Sequence, residues 1–501
     1  MNKALIAGIL LIVIIVSAAL IGYSQNWFQS TVTPHPTPTA SGTTQPTTEP
    51  TATASPTATA SPTSQPTASP TAQPTTVEAL KLTLEVYGNA NLDDKIDASD
   101  VTYVNSIIAG AANKTKFADA NFDGVIDSKD VTQINAIING EATQISMLDG
   151  NGQNITVSLP ANRVIVEYIQ NAELARILQI EDKIVGFDYA VDKLRSIYFP
   201  DKPGIVSVGN MNSPDYEAVL NLNPDILLTF TSATDEKKSK LPGVDVVFLG
   251  LYYPNVTAPE DSKFLQGILK AGYIFNKVPK AMEYANWLLN LTSTIRAKIS
   301  TLSENQMHTV FITNSPTITT TTKAYATIDT LGQVCILAGG SNIAKSLPTY
   351  LNASSVTVDA EWIIQQDPEY IFLHTVRYTF GGGTNEPSQG IDANDITGVQ
   401  ACLQDYLSQP SFANLTAVKN NHVYIIAGDF RNNAMGGTLG AVYMAKILYS
   451  DLFPDLNPQA IHQEYITKYL RLNYNLDNSG IFLYPPITVN GDTVGIPNGA
   501  T

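Results

Sequence analysis

At 501 residues the chain has room for two or three domains, and a formal net charge of −16 leaves no basic stripe for nucleic acid. Two cysteines, Cys335 and Cys402, exclude a disulfide framework and a thiolate zinc cluster; they can still pair, but two buried free thiols are expected. His-Glu-x-x-His and Gly-x-Ser-x-Gly are both absent, and the histidines stand singly, so neither an enzyme nor a catalytic cofactor is expected.

Residues 1–24 read as a membrane anchor or signal segment. After Met1-Asn2-Lys3 the apolar run 4–23 is long enough to cross a bilayer, which takes about 20 residues. Ser17-Ala18-Ala19 also offers a cleavage site; the length favours an uncleaved anchor. Either way the rest of the chain lies outside the cytoplasm, on the cell surface. Residues 25–79 are mainly Thr, Pro, Ala, Ser and Gln, an extended linker with no apolar face to bury. The sequons at Asn113, Asn154, Asn255, Asn290, Asn352 and Asn414 are about what chance gives in a chain this rich in Asn, Ser and Thr.

Residues 80–144 hold two acidic loops. Asn89, Asn91, Asp93, Asp97 and Asp100 stand at positions 1, 3, 5, 9 and 12 of the first. Asp119, Asn121, Asp123, Asp127 and Asp130 repeat that spacing in the second. This is the oxygen spacing of a calcium loop, with the backbone carbonyls of Lys95 and Val125 at position 7. A helical pattern follows each loop. The pair resembles a dockerin module, which implies bound Ca²⁺ and a cohesin-like partner. The departure is Asp94 at position 6, where the second loop keeps Gly124.

Residues 145–158 read as a β-hairpin, and strands then alternate with helices, which predicts parallel sheets. One pattern occurs twice. Glu217 and Glu361 each stand in a short amphipathic helix, seven residues before Pro224 and Pro368, and a buried strand follows each Pro. Two lobes built alike are expected, at 145–278 and 304–501, each presenting one carboxylate. Between them residues 279–303 read as one long helix, with Pro279 in its first turn and Ala285, Leu288, Thr292, Ile295, Ile299 and Leu302 on one stripe.

Further stretches carry a second resemblance: Arg163-Val164-Ile165, Lys183-Ile184-Val185-Gly186, Val208-Gly209, Asn223-Pro224-Asp225, Ala338-Gly339-Gly340-Ser341-Asn342-Ile343-Ala344 and Asn421-His422-Val423-Tyr424. With these, residues 145–470 resemble the substrate-binding proteins of ABC importers for ferric siderophores, haem or cobalamin. The resemblance implies an α/β fold of two Rossmann-like lobes joined by one long helix, here preceded by the small all-α module. It implies an iron complex or corrinoid as ligand, and permease arginines as partners of Glu217 and Glu361. Ligands of such folds bind at strand ends between the lobes. The candidates there are Tyr189, Asn210, Met211, Tyr252, Tyr253, Tyr325, Arg377, Tyr378 and Arg431. Of the histidines only His374 falls near that place, so a bare metal ion is not the expected cargo. The alternative is a surface scaffold or adhesion protein that uses the dockerin-like module for calcium-dependent binding.

Overall fold

A computed structural model describes residues 82–251, 255–258, 262–313, 321–375, 389–432 and 436–500. The N-terminal apolar segment, the linker and four candidates, Tyr252, Tyr253, Arg377 and Tyr378, lie outside these. Among the described residues no helix is long and apolar enough to cross a membrane.

Each acidic loop runs into a helix, α1 (Ala98–Ile108) or α2 (Ser128–Asn139). Asp97 with Asp100, and Asp127 with Asp130, form capping boxes, so the carboxylates at positions 9 and 12 start the helices. Gly140, at φ 71°, ends α2 in the left-handed conformation that costs glycine least. The hairpin follows as β1 (Gln144–Leu148) and β2 (Asn154–Ser158), antiparallel.

The N-lobe sheet contains β3 (Val164–Val166), β4 (Ile184–Phe187), β5 (Val206–Ser207), β6 (Ile226–Thr229) and β7 (Asp245–Phe248). Helix α3 (Tyr168–Ile177) follows β3, and α4 (Tyr216–Asn221) precedes β6. The strand order is β5-β4-β3-β6-β7, all parallel, as the alternation predicts. Period 2 sorts the side chains of β6. Ile226 and Leu228 enter the large core, whereas Leu227 packs on the opposite face with Val219 of α4.

After α5 (Lys263–Ile274) comes α6 (Val278–Ile299), the interlobe helix, with Pro279 in its first turn. Tyr284, Ala285, Leu288, Thr292, Ile295 and Ile299 are buried along it, and the helix stops before Leu302. A second tie joins the lobes. The buried Arg176 of α3 donates to the carbonyls of Leu470, Arg471 and Tyr198, and Arg471 pairs with Glu181.

The C-lobe corrects the expectation of a wholly parallel sheet. Its strands are β8 (Thr309–Thr313), β9 (Thr321–Tyr325), β10 (Ser341–Asn342), β11 (Ser355–Asp359), β12 (Tyr370–Thr375), β13 (Val423–Ala427) and β14 (Leu483–Tyr484). The order is β11-β9-β8-β12-β13-β14, with β10 beside β8. β8, β10, β12 and β13 are parallel; β9 and β14 run antiparallel to them, and β11 pairs antiparallel with β9. Helix α7 (Ala360–Gln366) precedes β12. Its Ile363 packs with Ile371 and Leu373, while Phe372 faces the large core. Cys335 and Cys402 are both free thiols.

Candidate functional site

Asp215 caps α4 by accepting from Ala218 N, and Asp359 caps α7 by accepting from Trp362 N. Glu217 and Glu361 therefore occupy the same place, exposed in the first turn of a short helix leading into an inner strand of its sheet. A carboxylate suits a helix N-terminus, where unpaired N–H groups concentrate positive potential. The Asp two residues before each Glu is part of the repeat and was not read from the sequence.

The strand ends carry buried polar clusters. In the N-lobe Glu167, just past β3, meets Lys237 at 2.5 Å and accepts from Thr229 Oγ1 at 2.8 Å and Phe230 N at 3.0 Å. Tyr168 next to it has φ 67°, rare for a bulky residue and a mark of functional sites, and its ring lies 4.2 Å from that of Phe230. Asp188, past β4, accepts from Tyr168 N and Val191 N. Burial, reinforced by nearby Glu167 and opposed by those bonds, pushes its carboxyl up to about 6. Tyr189 is exposed at the same end, with Lys193 Nζ 5.1 Å from its ring centre. Asn210 and Met211 lie half-buried in and beside a two-stranded ribbon next to the helical turn Tyr189–Lys193.

In the C-lobe Tyr325, at the end of β9, joins its hydroxyl to His374 Nδ1 at 2.9 Å. Arg431 lies 5.4 Å above the Tyr325 ring, and its Nη2 and Nε meet Asp329 Oδ2 at 2.6 and 2.8 Å. Burial, then the charge of Arg431, lowers His374 to about 3, so it is neutral. His374 Nε2 is buried without a hydrogen-bond partner. The structure thus gathers Tyr325, Arg431, His374 and Asp329. Tyr168, Phe230 and Asp329 were missed. Phe230 directly follows the buried strand β6 and Tyr168 stands two residues past β3, which is the signal that selected the other candidates.

Residues of the two lobes also meet around one small cavity. Glu173 of α3, Asp429, Phe430 and His462 share a cavity of about 20 Å³, the size of one water.

The acidic loops share one hydrogen-bond frame. Asp100 accepts from Asn91 N and Asp97 N, and Asp130 accepts from Asn121 N and Asp127 N. They differ at position 1. Asp119 accepts from Asp123 N and Gly124 N, and Gly124 has φ 90°. In the first loop Asp94 avoids the left-handed region, and Asn89 donates instead to the Leu84 and Asp93 carbonyls at 2.8 and 2.6 Å. Asn89 is fully buried and its Oδ1 is unpartnered. Among the described residues no three or more His, Cys, Asp or Glu side chains converge as a metal cluster; the loop carboxylates are turned onto backbone N–H groups.

Two sheets on one interlobe helix, with matched capped helices, are the geometry of a two-lobed binding protein. The model of the periplasmic binding protein family matches residues 164–429, more than half of the chain. The chain belongs to the periplasmic binding protein family. It is a substrate-binding protein of the type that serves ABC transporters, and not an enzyme. Members of the family act outside the cytoplasm. Among solved structures this binding protein resembles the TroA-like periplasmic binding protein FepB of Veillonella parvula, at 19% identity and TM-score 0.56, covering 69% of this chain and 99% of that one. A periplasmic solute binding protein of Veillonella parvula matches at 20% identity and TM-score 0.51, over 66% and 94% of the two chains. The Haemophilus influenzae protein MolA, bound to molybdate, matches at 19% identity and TM-score 0.50, over 65% and 98%. These likenesses show the fold. No curated protein matches.

Proposed function

We propose that this protein is held at the cell surface by residues 1–24 and delivers an iron complex, siderophore or haem, or a cobalamin-type corrinoid to an ABC importer. The observation that carries the reading is the equivalence of Glu217 and Glu361: exposed, one per lobe, each two residues after a capping Asp. Two acidic knobs of this kind suit arginines on a two-fold permease. Aromatic Tyr168, Phe230 and Tyr325 at the strand ends suit a large flat ligand. Arg431 is already paired with Asp329, which disfavours a small oxyanion such as the molybdate that MolA holds. The test is an absorption spectrum of protein purified from its source. A haem, corrinoid or ferric siderophore band supports the reading, and a colourless protein carrying a small anion refutes it.

In this reading the loops bind calcium. Asn89, Asn91, Asp93, Lys95 carbonyl, Asp97 and Asp100 would hold one ion; Asp119, Asn121, Asp123, Val125 carbonyl, Asp127 and Asp130 would hold the other. The orphaned Asn89 Oδ1 and the frame common to both loops support this. Calcium would fix the loops, and the chain's own carboxylates would leave their backbone N–H partners to meet it.

A second reading, binding of a cohesin-like protein, is favoured by equivalent exposed apolar residues. Ile108 and Ile138 stand 48% and 42% exposed at the same place in α1 and α2. A calcium-dependent complex with such a partner, lost in Ile108→Asp, tests it.

A further inference from the structure

The acidic module is not a bead on a string. Residues 84–87 extend the hairpin: Val86 bridges Met147, Tyr87 N donates to Ser146 O at 2.9 Å, and Leu148 N donates to Glu85 O at 3.0 Å. The hairpin is in turn fastened to the N-lobe edge, where Gly150 N donates to Phe248 O at 2.6 Å and Ser158 N to Asp245 Oδ2 at 2.7 Å. Leu84, Ile96, Val104 and Ile134 of the module share one core with Leu265, Ile268 and Leu269 of α5.

Three polar residues of α5 complete the joint. Gln266, Lys270 and Tyr273 fall at i, i+4 and i+7 on one stripe, which faces the module. Gln266 donates to Thr83 O at 2.7 Å and accepts from Glu85 N at 3.2 Å. Lys270, itself buried, pairs with Glu85 at 2.7 Å. The Tyr273 hydroxyl accepts from Ile96 N at 2.8 Å. Ile96 is position 8 of the first loop, between two candidate cation-binding positions. On the other side of α5, Gly272 lets the interlobe helix come close: a Cβ there would stand 2.7 Å from Ala281 Cβ. A continuous packed path therefore runs from the first loop through Tyr273 and α5 to α6.

We propose that the double-loop module is a fixed part of the N-lobe wall, and that calcium in its first loop stiffens α5 and the start of the interlobe helix. This rests on the reading of the loops as calcium sites. An independent observation points to a cation in the first loop: the fully buried Asn89 amide keeps one oxygen without a hydrogen-bond partner, and buried polar atoms are rarely left so. Among the described residues no hydrogen bond joins the second loop to α5, and its Asp123 and Gly124 are exposed.

The experiment is hydrogen exchange of the full chain in calcium and in chelator, with calcium calorimetry on the same sample. At calcium 100 times its Kd, local opening of residues 263–274 should become about 100-fold rarer. Tyr273→Phe keeps the ring and removes the acceptor for Ile96 N. It should still bind calcium but lose about fivefold of that protection, the worth of one hydrogen bond. Lys270→Met is the second variant, and the wild-type comparison decides should either variant fail to fold. Calcium heat without slower exchange in 263–274 overturns the coupling and leaves the calcium reading standing. No calcium heat at millimolar metal overturns both.

Discussion

The two lobes pack the same unit into different sheets. In each, an Asp-capped helix with Glu in its first turn leads into an inner parallel strand. Around that unit the N-lobe adds only parallel pairings, whereas the C-lobe adds β9, β11 and β14 through antiparallel pairings. The edges differ and the carboxylate position does not. What the lobes hold constant is therefore the outer acidic knob, and the strand ends have diverged. The N-lobe buries Glu167 with Lys237, and the C-lobe sets half-buried Arg431 on Asp329.

Breaking those pairs should separate the lobes most strongly. Glu167→Gln leaves Lys237 charged and enclosed and should lower stability by about 3–5 kcal/mol, with Glu167→Gln/Lys237→Met recovering much of it. Asp329→Asn leaves Arg431 in reach of water and should cost less, about 1.5–3 kcal/mol. Urea unfolding of the variants checks both. An equal loss would mean the two pairs are equally enclosed.

The lobes should also answer pH with opposite signs. His374 is held at about 3 against an ordinary 6.5, so its contribution is complete above 6.5 and is lost as pH falls towards 3. His462, also lowered to about 3 by burial, acts in the same sense. Asp188 is raised to about 6 against 3.8, so stability is gained as pH falls through 6 towards 3.8. Each group changes the slope by about 1.4 kcal/mol per pH unit. Between pH 6 and 4, then, His374→Gln should reduce the loss of stability on acidification and Asp188→Asn should increase it, read as urea midpoints. The same sign for both would contradict the opposed environments.

The smallest contrast concerns the caps. Asp215→Ala and Asp359→Ala should each cost about 1 kcal/mol, and by similar amounts, because the caps make equivalent bonds. A large inequality in thermal unfolding would break the equivalence on which the docking reading stands.

The repeated unit was legible because its signals are local: a Glu, an amphipathic turn, a Pro and an apolar run. The long helix was legible for the same reason, through Pro279 and its buried stripe. The antiparallel strands of the C-lobe were not. Thr321–Tyr325 and Ser355–Asp359 read as strands only by partial alternation, and their direction is set by pairing with each other and with Thr313. Asp329 caps the helix that follows it by accepting from Leu331 N. Its second task, holding Arg431 from 102 residues away, has no local signature. Likewise the two acidic loops look alike in spacing. Asp94 marks the first loop as different already in sequence, but only the fold shows that this loop is bonded to the N-lobe through Tyr273.

The most direct test of the account is cargo uptake through the reconstituted importer with Glu217→Lys, Glu361→Lys and both together. Like charge against permease arginines costs several kcal/mol, so each single reversal should cut uptake at least tenfold and the double should abolish it, while cargo affinity in solution stays unchanged. Full uptake by the double variant would contradict the docking role of the two carboxylates.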